Sequence, residues 1–454
     1  MTVDTNTLGR AWDNTGEEEI SLKQIYAHLF NYFGFCQYIE LDIQDSNNFV
    51  GSDSVHKGFL NNEKIQNSVD EVDLESSETK NYGITVSDSV ERAFKGCGGF
   101  DGIITKAMNL DMGDATKLFP KGDFHKALIK FEPADLYIAF IALLRNDSFD
   151  SFLNRYFIAR KKKVDETLEM LSRSLNWRIR SHPVDKWVFG GDAEVYFSGK
   201  NPDFIEAFKI NQAYLRGKDK LGRPVVIIHV KDHIGKNSTE KDFEKFICVI
   251  IEWIRLELKP LQYNIDRGCI LFDMTGFSLR NADLSAVRFL ASALESNYPE
   301  FLGAIWVHNA PWVFNAVWKV IRGWLDPVVA SKVHFTKNCK DLEAFIDRKF
   351  IPKDLGGNDA FVMKYENPTH SDSDEKPKDD NYAILSEQRS FLILSYLQAT
   401  INWLESKTIS ESDKFLEARI KIGIQLANNY IGIDPYLRKR GIFERIGEMG
   451  KLGY

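Results

Sequence analysis

Four charged residues stand at the ends of apolar segments. Arg160 and Lys161 follow an apolar helical run, Glu300 follows a proline between a helix and a strand, and Lys332 opens a strand after a valine-rich turn. Cations and an acid of this kind, if they converge in space, suit a phosphate that carries a hydroxylated ring. Solvated surface charge is the ordinary role for each, and sequence alone leaves both readings open. The second informative feature is the stretch from Ser296 to Phe335. A buried-strand pattern, Ala304 to Val307, runs into Asn309-Ala310-Pro311 and then into a helix bearing Trp312, Trp318 and Trp324. Phe314, Trp318, Ile321 and Leu325 recur there at helical spacing, with Lys319 and Arg322 between them. So much aromatic surface on one helix needs a partner. It reads either as a core helix packed on a sheet or as a movable lid over an apolar cavity.

Other chemistries lack their residues. The sequence has no glycine-rich dinucleotide turn after a strand and no phosphate loop ending in lysine and a hydroxyl residue; GGFDGIITK at Gly98 to Lys106 follows no strand. No serine sits between glycines as in a nucleophile elbow. The nine histidines include no pair at metal-ligand spacing beside an acid, and His229 and His233 read as satisfied or solvated side chains. The expectation is a protein without a catalytic centre, metal or cofactor.

The chain has 454 residues, 44% of them hydrophobic and 13% aromatic, enough for two or three domains with at least one large core. A net charge of -7 argues against a nucleic-acid partner. Five cysteines at wide and irregular spacing point to a reducing compartment. The amino terminus reads as lacking a signal peptide, and no window approaches the roughly 18 apolar residues of a membrane span, so any membrane contact is expected to be peripheral.

The elements follow from periodicity. Glu17 to Glu19 precede Leu22, Ile25, Tyr26, Leu29 and Phe33, giving an amphipathic helix that stops at Gly34. Gln44 to Val90 is polar and reads as a mobile linker. Helical patterns return between Asp101 and Arg180. Strands at Val225 to Val230, Gly268 to Met274, Leu302 to His308 and Lys332 to Phe335 alternate with helices near 241–258, 284–295, 312–325 and 340–349. That alternation predicts an α/β domain with a largely parallel sheet and right-handed crossovers. Leu385 to Glu405 and Asp413 to Tyr430 read as a two-helix appendage. The expected divisions are an amino-terminal helix with linker at 1–95, a helical subdomain at 96–186, a core at 187–358, a linker at 359–382 and a helical extension at 383–454.

The segments LNRYFIARKKKVDETLEML, KDKLGRPVVI, CILFDMTGFS, NYPEFLGAIWVHNAPWVFNAVWKVI and WLDPVVASK occur in this order. Together they resemble the CRAL-TRIO, or Sec-fourteen-like, lipid-binding family over about 135–358. The flanks EEEISLKQIYAHLF and FTKN and the two carboxyl-terminal helices resemble the non-classical fungal phosphatidylinositol transfer proteins of the Csr type. The resemblance implies a mostly parallel sheet flooring an apolar cavity closed by a gate helix, with an all-α amino-terminal subdomain and a carboxyl-terminal helical appendage. It implies a phosphatidylinositol headgroup site at Arg160, Lys161, Pro224, Glu300 and Lys332. Val329 stands where relatives often place a threonine, so one hydroxyl contact is lost. Leu215, Val226, Gly268 and Ile270 stand where phosphatidylcholine-exchanging relatives carry two tyrosines, a serine and a threonine. Burying a choline phosphate without partners costs several kcal/mol per charge, so that lipid is expected to be rejected. The apolar wall suits a second hydrophobic ligand such as a sterol or polyisoprenoid.

A diacyl lipid of roughly 30 methylenes exposes over ~20 kcal/mol of hydrophobic surface in water at about 0.8 kcal/mol each, so a carrier must enclose it. The gate assigned by resemblance comprises Trp312, Phe314, Trp318, Ile321, Trp324 and Leu325, with hinges near Asn309 to Pro311, Gly323 and Pro327. It is expected to open on a membrane, where Lys319 and Arg322 favour an anionic surface. The implied protein is a cytoplasmic, peripheral phosphatidylinositol transfer protein that acts at endosomes, microsomes or lipid droplets and regulates phosphoinositide metabolism. The alternative is a lipid-sensing adaptor that recruits lipid kinases or phospholipases.

Overall fold

The computed structural model describes residues 16–36, 82–109, 117–233, 239–260 and 264–450. The polar stretch read as a linker from Gln44 lies, up to residue 81, outside the described residues. The chain divides into two compact units: Met1–Asp185 with Pro260–Asn264 and Pro377–Tyr436, and Lys186–Lys259 with Ile265–Lys376 and Leu437–Tyr454. The helices used below are α1 (Gly16–Tyr32), α2 (Phe149–Ala159), α3 (Glu240–Glu257), α4 (Leu284–Ser296), α5 (Phe314–Arg322), α6 (Pro327–Ser331), α7 (Asp380–Glu405) and α8 (Ile409–Leu437). Among the described residues, no helix is long and apolar enough to cross a membrane.

The first unit is built from helices. Three acids sit in the first turn of α1, and Leu22, Ile25, Tyr26, Leu29 and Phe30 are buried along its apolar side. Two residues past the helix, Gly34 has φ +78°, and an added Cβ there would collide with the carbonyl oxygen of Phe119. A buried polar knot joins α1 to α2, α7 and α8. Tyr26 donates to Asp150 Oδ1 at 2.6 Å, Tyr396 donates to Oδ2 at 3.1 Å, and Arg419 pairs with the same carboxylate at 2.7 Å. The Arg419 guanidinium also lies 4.1 Å from the Trp403 ring centroid. Lys23 donates to Ser412 Oγ at 2.8 Å. Helix α1 near the amino terminus and helices α7 and α8 near the carboxyl terminus therefore share one core.

The second unit is a five-stranded sheet in the order β1 (Ala213–Lys218), β2 (Pro224–His229), β3 (Gly268–Asp273), β4 (Leu302–His308) and β5 (Val333–Thr336). Strands β2 to β5 pair in parallel and β1 is antiparallel to β2. Strands β2, β3 and β4 read as near-continuous apolar runs because they are buried along almost their whole length. Strand β1 was not expected: Arg216 and Gly217 interrupt its apolar run at a register shift. Gly217 has φ +68°, and a Cβ there would approach Phe350 to 2.9 Å. Arg216 forms a bidentate pair with Asp359, at 2.7 and 2.8 Å, and sits 4.3 Å from the Phe361 ring.

Two other elements differ from expectation. The helix predicted over 340–349 is a single turn, Cys339–Leu342. The Phe345 carbonyl accepts from the Lys220 N–H at 2.8 Å instead of continuing a helix, while Leu342 and Ile346 keep their buried apolar positions. Residues 359–376, read as a linker, are fastened to the second unit: Asn211 donates to the Met363 carbonyl at 2.7 Å and Tyr365 to Asp192 at 3.0 Å. Arg445 closes on the same Asp192 at 2.8 Å.

All five cysteines are free, and only Cys339 is not buried. Burial pushes the thiols of Cys36 and Cys269 up to about 12 and raises that of Cys97. Brief alkylation of the native protein near pH ~8 should place one label, on Cys339, as read by peptide mass spectrometry. Equal labelling of Cys269 would contradict the packing of β3.

Candidate functional site

One face of the sheet floors an apolar cavity. Alternate residues face it: Val226, Ile228 and Val230, then Ile270, Phe272 and Met274, then Ile305 and Val307, and Val333. In-register parallel pairing, with Val226 beside Ile270 and Ile270 beside Ile305, makes these side chains one continuous floor. The walls come from α3, through Phe246, Ile250 and Ile254, and from α4, through Val287, Leu290 and Leu294. About 1420 Å³ inside it is not filled by protein atoms, counting the part that opens to solvent. The lining is almost wholly hydrocarbon, which suits an aliphatic ligand better than water.

Helix α5 forms the roof. Phe314, Val317, Trp318, Ile321 and Leu325 line the cavity at helical spacing, followed by Val329 of α6. Phe314 meets Phe277 edge-on at 5.4 Å, and Trp318 meets Phe335 at 5.2 Å. The helix is shorter than expected; Pro311 to Val313 and Gly323 to Leu325 flank it as turns. Trp312 does not line the cavity and is 84% exposed, while Trp324 lies under the Arg288 guanidinium at 4.5 Å. Lys319, Val320 and Arg322 point to solvent on the other side of the helix.

The chain enters this roof through a strained residue. Asn309 has φ +54°, a region that asparagine tolerates better than most residues. Its N–H bonds the Thr336 carbonyl at 2.8 Å and its side-chain amide bonds Thr275 Oγ1 at 3.0 Å. Just before it, the last rung of the sheet sets His229, Asp273, His308 and Thr336 side by side. His229 Nδ1 lies 3.0 Å from Asp273, and His308 Nδ1 2.9 Å from Thr336 Oγ1. Burial opposes ionisation of Asp273, but hydrogen bonds from His229 and Thr275 outweigh it and hold the carboxyl below the usual range. Burial lowers His308.

The structure brings Glu300 and Lys332 together. Lys332 follows α6 as its capping residue instead of opening a strand, and its Nζ lies 3.5 Å from Glu300 Oε2. Their side chains are 15% and 17% exposed. Glu300 adopts φ +54°, a conformation that costs a non-glycine residue on the order of 1–3 kcal/mol and that concentrates at functional positions. Pro224 is the first residue of β2. Arg160 and Lys161 belong to the first unit. There they end α2, with Lys161 at φ +53° and Lys162, at φ +63°, paired with Glu18.

Of the four residues expected to replace phosphatidylcholine contacts, Val226 and Ile270 line the cavity and Leu215 and Gly268 do not. A side chain on Gly268 would strike Ile254 Cγ2 at 2.6 Å, so that isoleucine fills the place.

One polar corner of the cavity escaped the sequence reading. Gln212, His233, Asn281 and Asp283 line it together. His233 bridges Gln212 Nε2 at 2.8 Å and Asp283 Oδ2 at 3.0 Å. Asn281 donates to the carbonyls of Lys231 and His233 at 3.0 and 2.9 Å, and Asp283 caps α4 through the Ala286 N–H at 3.0 Å. Burial works against the Asp283 carboxylate, but the Ala286 N–H and His233 hold it below the usual range. Only the histidine four residues after another histidine hinted at this corner. Among the described residues no cluster of histidine, cysteine or acids could hold a metal ion.

Comparison with known proteins adds an independent line. A CRAL/TRIO domain model matches residues 209–357. The phosphatidylinositol transfer protein CSR1 of Eremothecium gossypii is 36% identical over 332 residues, covering 72% of this chain and 74% of that protein. The CRAL-TRIO domain-containing protein C3H8.02 of Schizosaccharomyces pombe is 29% identical over 447 residues, 97% of this chain and 92% of that protein. A crystal structure of Sfh5 matches with a TM-score of 0.40 and 17% identity, over 52% of this chain and 80% of that one.

Proposed function

Because the chain belongs to the CRAL/TRIO family, we propose that it binds phosphatidylinositol, extracts it from a membrane into the apolar cavity and exchanges or presents it there. The observation that carries this reading is the Glu300–Lys332 ion pair, whose lysine falls in the chain between the cavity-lining residues Val329 and Val333. A cation and an acid at the rim of an apolar chamber match a phosphate on a hydroxylated ring attached to acyl chains. Pro224, at the start of β2, completes the proposed headgroup set within the second unit. The 36% identity to a phosphatidylinositol transfer protein supports the same lipid class.

Phosphatidylcholine is excluded in this reading. Val226 and Ile270 give the cavity floor no polar partner for a choline phosphate. The exposed faces of α5 and of Trp312 provide the membrane contact, with Lys319 and Arg322 set toward anionic lipid. The test is transfer between vesicles of stated composition, together with mass spectrometry of lipid carried through purification. Phosphatidylinositol should copurify and move faster with protein present, and phosphatidylcholine should do neither. Copurified phosphatidylinositol without accelerated transfer would replace the carrier with a lipid-sensing adaptor that acts through lipid kinases or phospholipases. Absence of any copurified or transferred phospholipid would overturn the reading.

A further inference from the structure

The two edges of the sheet are finished differently. At β1 the Gln212 carbonyl accepts from the His229 N–H, so the main-chain groups of Ala213 and Leu215 turn away from β2. Both residues are buried, and the turn Arg348–Phe350 packs on that strand. Folded proteins cover or blunt such an edge because its unpaired N–H and C=O groups recruit another strand. Strand β5 has no such cover. The Lys332 carbonyl accepts from Ile305 at 2.9 Å and the Thr336 carbonyl from Asn309 at 2.8 Å, so Lys332, His334 and Thr336 face β4. The N–H and C=O groups of Val333 and Phe335 therefore turn outward. Among the described residues no other element pairs with them, and Phe335 is 48% exposed.

The surroundings of β5 decide what fits there. Lys337 and Lys340 follow the strand, and Lys319 and Arg322 lie on α5, whose Trp318 meets Phe335 at 5.2 Å; all four cations are exposed. The nearest acids along the chain on either side, Asp326 and Asp341, each accept from a backbone N–H, of Val328 and of Lys337. A lipid surface offers outward N–H and C=O groups no partners in register, and hydrocarbon penalises them when they are unpaired. A second copy of this chain would set the same patch on both sides of a two-fold contact, so its cations would face one another. An extended peptide with acidic side chains meets both needs, because its main chain pairs with the edge and its carboxylates reach the cations.

We infer that β5 is a docking edge for an extended acidic segment of a partner protein, which adds a further strand to the sheet beside Val333 and Phe335. The segment alternates apolar and acidic residues. Its apolar side chains continue the sheet face that carries Val333 and Phe335, and its carboxylates meet Lys337, Lys340 and the cations of α5. Because Phe335 also meets Trp318 of the roof, a strand held here lies against a contact that closes the chamber. The inference does not depend on which lipid the chamber holds.

The experiment measures fluorescence anisotropy of a short labelled peptide alternating aspartate and valine, titrated with the full-length protein. Two further versions carry N-methyl groups on one or the other alternate set of backbone amides, and a third has lysine in place of aspartate. Strand addition uses one edge of the peptide, so one methylated version should bind at least ~10-fold more weakly while the other binds like the parent. The lysine version should not bind. Phe335→Pro deletes the outward N–H without touching a bond to β4, and should bind the parent peptide at least ~10-fold more weakly than Phe335→Ala, which loses the same ring and keeps the N–H. The peptide comparison on the wild-type chain needs no variant to fold. Absence of binding by the aspartate peptide, equal behaviour of the two methylated versions, or equal binding of the lysine version would overturn the docking edge. A dimer in sedimentation that Phe335→Pro dissociates would assign the edge to a second copy instead. Slowed exchange of the Phe335 N–H on phosphatidylserine vesicles, without peptide binding, would assign it to the membrane.

Discussion

Lys332→Ala is expected to lower phosphatidylinositol transfer by roughly 10- to 100-fold. The lysine ammonium lies 3.5 Å from Glu300, and both side chains are largely withdrawn from water. A hydrogen bond to a charged group is worth about 1.5–3 kcal/mol, and each 1.4 kcal/mol is tenfold in affinity. The substitution removes the cation proposed to meet the phosphate and takes the ion-pair partner from Glu300. The change lies between α6 and β5, where Lys332 supplies a backbone carbonyl to Ile305 at 2.9 Å that alanine retains. Thermal unfolding should therefore shift little. Unchanged transfer with an unchanged melting temperature would remove Lys332 from the headgroup site.

Trp318→Glu should empty the chamber. Trp318 lines the cavity on the roof helix and packs edge-on against Phe335. A carboxylate in its place faces hydrocarbon when the roof is closed and water when it is open. Burying an unpaired charge costs several kcal/mol, so even about 3 kcal/mol would shift the closed-to-open ratio by roughly 100-fold. The expected result is loss of copurifying lipid and at least a tenfold fall in transfer, with far-UV circular dichroism intact because α5 is not a sheet element. Stoichiometric lipid in the purified variant would show that α5 is not what retains the ligand.

The parallel sheet was legible because β2, β3 and β4 are continuous apolar runs flanked by helical patterns, and the roof was legible because Phe314, Trp318, Ile321 and Leu325 keep a strict helical period. Strand β1 was hidden by an arginine and a glycine whose reasons lie elsewhere in the chain, in Asp359 and Phe350. The helix at 340–349 failed because the Phe345 carbonyl is claimed by Lys220 across a turn. Neither partner is near in sequence, so periodicity could not register them. Gly268 was assigned to the cavity wall by position, but Ile254 occupies its space. Gln212, His233 and Asp283 come from three separate connections, and only the spacing of His233 from His229 hinted at any of them. Sequence patterns report the neighbours an element has along itself, and each of these misses depends on a neighbour supplied by another element.

The knot around Asp150 also sets a schedule for biogenesis. Lys23 and its hydrogen-bond partner Ser412 are 389 residues apart. At synthesis rates of about 5–20 residues per second, α1 emerges roughly 20–80 s before α8 exists to receive it. Until then the knot cannot close, although the helix Val164–Asn176, which also packs against α1, has already been made. The polar knot of the helical unit therefore closes only late in synthesis, after α7 and α8 have been made.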